Sequence, residues 1–316
     1  MRPSSIGRRA VAVGTLAVVM VMAASGPAWA DPTGASIPAG EITKVGLNLL
    51  WIIMGAVLVV FMQAGFALVE TGLCRARHAA HVVSTNFAIF GLGFVGYFLI
   101  GYALMFGGYS AAPGLFGYDH ALGGPLIGSG RWVFLWQGGF ALSGGAYDVS
   151  VMAYFLYMVA FMDTTATIPT GSMAERWKWR SFVVWGLFCG AVYYPLFGAW
   201  TWGGGWLSQL GNSLRLSFGY VDFAGSGVVH AMGGAAALAG AIVLGPRLGK
   251  YTRDGRPTPW PAITSPWPCS ARSSCCSVGS GSTPPPPWPP PTCGSRSWPP
   301  TPRPPPRSAR SSRCCG

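Results

Sequence analysis

The chain has 316 residues, of which 51% are hydrophobic and 9% charged, and its mean hydropathy is +0.40. So few charges over so much apolar sequence exclude an ordinary soluble domain and indicate a membrane protein. The net charge of +12 carries no nucleic-acid footprint, because three arginines sit in the first nine residues and six more lie beyond Arg256, where no acid occurs.

Residues 1–30 read as a signal peptide. Arg2, Arg8 and Arg9 make a basic start, Ala10 to Ala24 an apolar run, and Ala28-Trp29-Ala30 a small-x-small cleavage site before Asp31. The alternative is a retained first helix, but this run falls short of the roughly 20 residues a membrane span needs.

Apolar runs then predict spans at about 45–74, 82–106, 149–170, 181–202 and 222–245. The segment from Arg131 to Tyr147 is apolar but glycine-rich, and reads as a re-entrant or surface piece. The fifth span, DFAGSGVVHAMGGAAALAGAIVL, carries an acid at its start and a histidine inside it. If the whole stretch is helical, Asp222 and His230 stand about 12 Å apart and within about 80° around the axis. Ionisable groups at membrane depth are costly and usually face a bundle interior or a pore. The plainer reading is an N-cap aspartate and a histidine hydrogen-bonded between helices. Ser226, Gly227, Gly233, Gly234 and Ala237 give that helix a small-residue surface that lets neighbours approach.

Loop charges predict orientation. After the first, third and fifth spans come Arg75 and Arg77; Arg176, Lys178 and Arg180; and Arg247, Lys250, Arg253 and Arg256, against Lys44, Arg131 and Arg215 on the other side. Nine against three puts the mature N-terminus outside and residue 250 in the cytoplasm, so the chain is expected to be multi-pass in the cytoplasmic membrane. Cys74 and Cys189 sit in apolar context and imply no disulfide framework. No nucleophile–base pair, metal cluster or phosphate loop appears, so no enzyme, cofactor or metal is expected.

From Pro257 onward the composition changes: eighteen of the 27 prolines and six of the eight cysteines lie there. Taken literally, 258–316 is a basic, disordered Pro-rich tail, such as a polyproline ligand on a membrane adaptor. The genetic code offers another reading. Codons that spell Thr258 to Thr283, read one base out of register, permit NAMAGHHIPMAVLGTLILLLGWFGFNP, an uninterrupted apolar helix. That favours a frameshift close to Pro257, with residues 258–316 an out-of-frame translation.

At the level of motifs, the order and spacing of Ala64 to Gly72 (AGFALVETG), Ala174-Glu175-Arg176, Trp202-Gly203-Gly204-Gly205 and Val221 to His230 (VDFAGSGVVH) resemble the ammonium transporter family. The shifted-frame GWFGFN is a further signature of that family. The resemblance implies an all-α integral membrane protein of eleven helices, forming homotrimers, with two inverted halves around a narrow pore in each subunit. Residues 31–257 are then the first half, with five transmembrane helices. The implied partners are ammonium or ammonia, membrane lipid and a soluble PII-type signalling protein. An ammonium sensor built on the same fold is the alternative function.

The resemblance also assigns roles. Trp202 is the aromatic wall of an external ammonium site, against the plainer reading of an interfacial tryptophan. Phe161 closes the pore entrance, and Tyr157, one turn earlier on the same face, joins the aromatic vestibule. On helical spacing alone, both are core or lipid-facing. Asp222 holds the entrance geometry without touching substrate, and His230 is the first of two buried pore histidines. Asp163 lies about 200° around the helix from Phe161, so it is expected to pair with Thr164 between helices rather than face the pore. Glu70 is expected to bind helix ends or a neighbouring subunit. His78, His81 and His120 receive no role.

Overall fold

The computed structural model describes residues 31–35, 37–108, 121–216 and 218–258. The expected signal peptide, the tail beyond 258 and His120 lie outside these residues. Five helices are long and apolar enough to cross a membrane: α1 (Ile42–Gly72), α2 (Ala76–Phe106), α3 (Val149–Met173), α4 (Trp179–Trp200) and α5 (Ser226–Leu244). They match the five predicted spans, and successive helices alternate in direction. One end of the bundle therefore collects Asp148, Trp202 and Asp222, and the other collects Arg75, Glu175 and Arg247. These are called below the aromatic end and the basic end.

Helix α3 is the centre of the bundle, packing against α1, α2 and α5, while α2 also packs against α4. Its N-cap is Asp148, whose carboxylate accepts from the backbone N–H of Ser150 at 2.8 Å and of Val151 at 3.4 Å. Pro169 sits inside the helix and has no N–H to offer the carbonyl of Thr165, four residues earlier. Gly233 of α5 comes up against that oxygen: a Cβ at Gly233 would stand only 3.2 Å from it. The small-residue surface expected of the fifth span is what lets α5 lie there.

Helices α2 and α4 meet backbone to backbone. Each widens into a π-helical turn at mid-length, Tyr97–Gly101 and Cys189–Tyr193, and these turns face each other. A Cβ at Gly101 would lie 2.1 Å from the Gly190 carbonyl oxygen, and one at Gly190 would lie 2.1 Å from that of Gly93. Only glycine permits such an approach, which places peptide dipoles in contact without bulky side chains between them. Below this seam Phe155 of α3 is ringed by Phe94, Tyr97, Phe98 and Tyr102 at centroid distances of 5.5–6.1 Å. Offset and edge-on aromatic contacts of this kind add to simple area burial.

The segment expected to be re-entrant or at the surface begins inside a β-hairpin, whose first strand precedes it. Strands β1 (Pro125–Ser129) and β2 (Trp132–Trp136) pair antiparallel around Gly130 and Arg131, with Gly130 at φ +57°. The hairpin is seated on the end of α4: Trp206 N–H donates to the Val133 carbonyl at 2.9 Å, and the Trp200 indole N–H to that of Phe134 at 3.0 Å. Strand hydrogen bonds satisfy the backbone here, where glycine content works against a helix.

At the basic end, arginines close the helix C-termini, whose last carbonyls have no partner within the helix. Arg247 donates to the carbonyls of Leu73 and Gly171, each at 3.2 Å, and Arg176 donates to that of Gly245. Arg75 and Glu175 form an ion pair at 2.5 Å, reinforced by the backbone N–H of Arg75 at 2.9 Å. Burial alone would raise the Glu175 carboxyl, but the Arg75 hydrogen bonds and the charges of Arg75 and Arg247 hold it below the ordinary range. Both described cysteines, Cys74 and Cys189, are buried and free.

Candidate functional site

The aromatic end gathers four of the five residues singled out by resemblance. Tyr157 and Phe161 stand one turn apart on α3, with ring centroids 5.0 Å apart and planes at 76°. Phe161 meets Trp202 edge to face, at 5.6 Å and again 76°. Trp202 lies just past the end of α4, and its indole N–H donates to the backbone carbonyl of Asp222 at 2.6 Å. The three half-buried rings thus form one continuous wall tied to the loop before α5.

Asp222 is 6% exposed, and its carboxylate is filled by local donors. One oxygen accepts from the N–H of Gly225 at 2.8 Å and the hydroxyl of Ser226 at 3.2 Å. The other accepts from the N–H of Gly227 at 2.8 Å and of Val228 at 2.7 Å. These N–H groups belong to the unpaired start of a helix, and a carboxylate is the group that suits them best. The chain turns through Gly225 at φ +87° to make this fit.

That geometry corrects the expectation that Asp222 and His230 share one helix. Helix α5 begins at Ser226 in π-helical form, and Asp222 precedes it and folds back over its first turn. Helical rise therefore does not measure the separation of the two side chains. The plainer reading of Asp222, as a cap, describes its contacts. His230 is exposed in this chain. Helix α5 uses Val228, Val229 and Gly233 to pack inward, and among the described residues no hydrogen bond engages the imidazole.

Asp163 is buried at 2% exposure, but its partner is not Thr164. Thr164 donates to the Ala160 carbonyl of its own helix. The Thr167 hydroxyl, one turn along α3, lies 3.3 Å from Asp163 Oδ1 and 3.2 Å from Gln63 Oε1 of α1. The link between helices thus passes through Thr167. A second buried cluster follows towards the basic end: Glu70 of α1 accepts from Asn86 of α2 at 2.7 Å and from Thr170 of α3 at 2.6 Å. Glu70 thus ties α1 to side chains of α2 and α3 in its own chain rather than to a helix end. His78 accepts from Arg77 at 3.1 Å.

Sequence reasoning missed two residues, Tyr220 at the aromatic end and Tyr193 in the π-helical turn of α4. Tyr220 stacks edge-on against Phe197 at 6.2 Å, and its hydroxyl covers Gly227, where a Cβ would come within 2.2 Å of it. Tyr193 donates to the Met232 carbonyl at 2.9 Å and fastens α4 to α5. The only local signal for Tyr220 is its place two residues before Asp222.

Comparison with known proteins follows the same lines. The Ammonium Transporter Family matches residues 50–264. Ammonium transporter Amt2 of Archaeoglobus fulgidus is 41% identical over 259 residues, covering 80% of this chain and 48% of that protein. Ammonium transporter Amt1 of Haloferax mediterranei is 37% identical over 225 residues, covering 70% of this chain and 39% of that protein. Among solved structures, a "Sensor Amt Protein" superposes with a TM-score of 0.60 at 28% identity, over 77% of this chain and 56% of that one. The chain spans about half the length of the curated relatives it matches. With five spans in the expected places, an aromatic wall tied to a capped loop and this breadth of likeness, the chain belongs to the ammonium transporter family.

Proposed function

We propose that these five helices form one half of a pore that takes up ammonium at the aromatic end and passes it across the cytoplasmic membrane as ammonia. The observation that carries this reading is the contact of Phe161 with Trp202, held in place by the Trp202–Asp222 hydrogen bond. A small cation against such faces gains about 1–2 kcal/mol when desolvated. A full charge is expensive at mid-membrane, so ammonium that leaves its proton at the aromatic mouth proceeds more easily as a neutral molecule. Potassium has no proton to give up and is rejected. Phe161 and Tyr157 close the entrance, Asp222 keeps it in shape, and His230 offers the neutral guest a donor or acceptor further in.

In this reading the aromatic end faces outside and the basic end the cytoplasm, in keeping with the nine basic residues that follow α1, α3 and α5. The 316-residue chain by itself does not conduct, because the exposed His230 face needs a second half. The intact form works as a homotrimer, with the basic end available to a PII-type signalling protein. The test is methylammonium uptake in transporter-deficient cells, comparing this chain with a gene whose frame across codon 257 is restored. Uptake only by the restored gene supports the reading, and uptake by the 316-residue product contradicts it. A second reading, an ammonium sensor, has one observation in its favour, the likeness to the solved "Sensor Amt Protein". A restored frame that runs into a cytoplasmic signalling domain would select it.

A further inference from the structure

Inside the bundle, two threonines of α3 each meet more acceptors than they have hydrogens. The Thr170 hydroxyl lies 2.6 Å from the backbone carbonyl oxygen of Thr167 and 2.6 Å from Glu70 Oε1. Both distances are those of full O–H···O hydrogen bonds, yet a hydroxyl carries one hydrogen. The carbonyl has none to give. The other carboxyl oxygen, Oε2, is met by the Asn86 amide at 2.7 Å, and that amide also reaches the Val82 carbonyl at 3.0 Å.

The pattern recurs about one turn earlier. The Thr167 hydroxyl lies 3.2 Å from Gln63 Oε1 and 3.3 Å from Asp163 Oδ1. The Gln63 amide cannot be turned over to supply the missing hydrogen, because its N–H₂ donates to the Asn86 carbonyl. Glu70 is 8% exposed and Asp163 2% exposed, and among the described residues neither forms an ion pair with a lysine, arginine or histidine. Asp222 is the opposite case, with four donors on its two oxygens.

We propose that Glu70 and Asp163 are proton-binding sites, each held in the folded chain as a neutral carboxylic acid that donates its hydrogen to a threonine hydroxyl of α3. With both protons in place every contact has its hydrogen. Glu70 donates to Thr170 and Thr170 to the Thr167 carbonyl, so that bond runs from acid to hydroxyl. Asp163 donates to Thr167, and Thr167 to Gln63. A neutral acid also avoids the heavy cost of a buried charge without a partner. Of the groups around them, Arg247 binds the carbonyls of Leu73 and Gly171, and the thiols of Cys74 near Glu70 and Cys189 near Asp163 bring no positive charge. The two acids thus tie α1 and α2 to α3 without leaving a fixed negative charge in the bundle. The inference does not depend on what the pore carries.

The test is infrared spectroscopy of the full chain, purified in an ester-free detergent at neutral pH, in water and in deuterium oxide. A carboxylic-acid C=O band that shifts on deuteration is expected, and Glu70→Gln and Asp163→Asn should each remove part of it. No such band in the unsubstituted protein, or a band that either variant leaves unchanged, overturns the proposal. An amide keeps an N–H donor where the acid has its O–H. These two substitutions should therefore lower the thermal midpoint by less than half as much as Glu70→Leu and Asp163→Leu, and equal losses overturn the proposal. Should a variant fail to fold, carbon-13 labelling of glutamate or of aspartate carboxyls in the unsubstituted protein decides. Each label should shift part of the band, and a band unmoved by either label overturns the assignment.

Discussion

Trp202 and Asp222 are joined through the backbone: the indole N–H of one donates to the main-chain carbonyl of the other at 2.6 Å. The tryptophan thus fixes the loop before α5 while its ring meets Phe161. One side chain couples the aromatic wall to the clasp at the helix start. Trp202→Phe, which keeps a ring face but deletes the donor, should destabilise the protein by about 1 kcal/mol, the usual net loss for one hydrogen bond. Trp202→Leu should also abolish the proposed cation-facing surface. Thermal midpoints, together with methylammonium affinity in the frame-restored gene, separate the two contributions.

Asp222→Asn is not a conservative change here. Both carboxylate oxygens accept, and three of the four donors are backbone N–H groups. An amide would turn its own N–H₂ towards one pair of them. A loss of about 1–3 kcal/mol is expected, close to that of Asp222→Ala. Chemical denaturation of the purified protein should rank the two variants together, and an Asn variant as stable as the parent would refute the clasp.

The glycine seam gives a paired test. Gly190→Ala places a methyl group 2.1 Å from the Gly93 carbonyl oxygen, so α2 and α4 must part, at a cost of about 1–3 kcal/mol. Gly234→Ala in α5 meets nothing within 4 Å and should stabilise by about 0.5–1 kcal/mol, because alanine loses less freedom on entering a helix. Thermal midpoints moving in opposite directions would confirm the packing.

The basic end carries a pH signature. Glu175 has its carboxyl held below the ordinary value of 4.5, so its pairing with Arg75 stabilises the fold fully above that value. The contribution is lost as pH falls through the depressed value. Glu175→Gln should lower stability at neutral pH and flatten the acid side of the stability profile. A profile unchanged in slope would show that the pair contributes nothing.

Much of the fold was legible in the sequence. The five spans follow from apolar runs, and the alternation of loop charges matches helices that collect Arg75, Glu175 and Arg247 at one end. What escaped were features that depend on tertiary contact. Asp222-Phe223-Ala224-Gly225 reads as the first turn of an apolar helix, and only the left-handed turn at Gly225 and the four donors around Asp222 show that it is a clasp. Helical angle separates Asp163 from Phe161, but it does not give the partner of Asp163, a threonine four residues on rather than the adjacent one. Side chains one turn apart share a helix face and neighbours in sequence do not. The β-hairpin was hidden because its glycines broke the apolar pattern without showing which strands would pair.

The central claim is that Trp202 and His230 line the route taken by the substrate. The most direct measurement is methylammonium flux, with its selectivity over potassium, for Trp202→Leu and His230→Ala in the frame-restored gene. The account predicts weakened apparent affinity for the first and a collapse of flux or selectivity for the second. Flux and selectivity equal to the unsubstituted protein in both variants would contradict it.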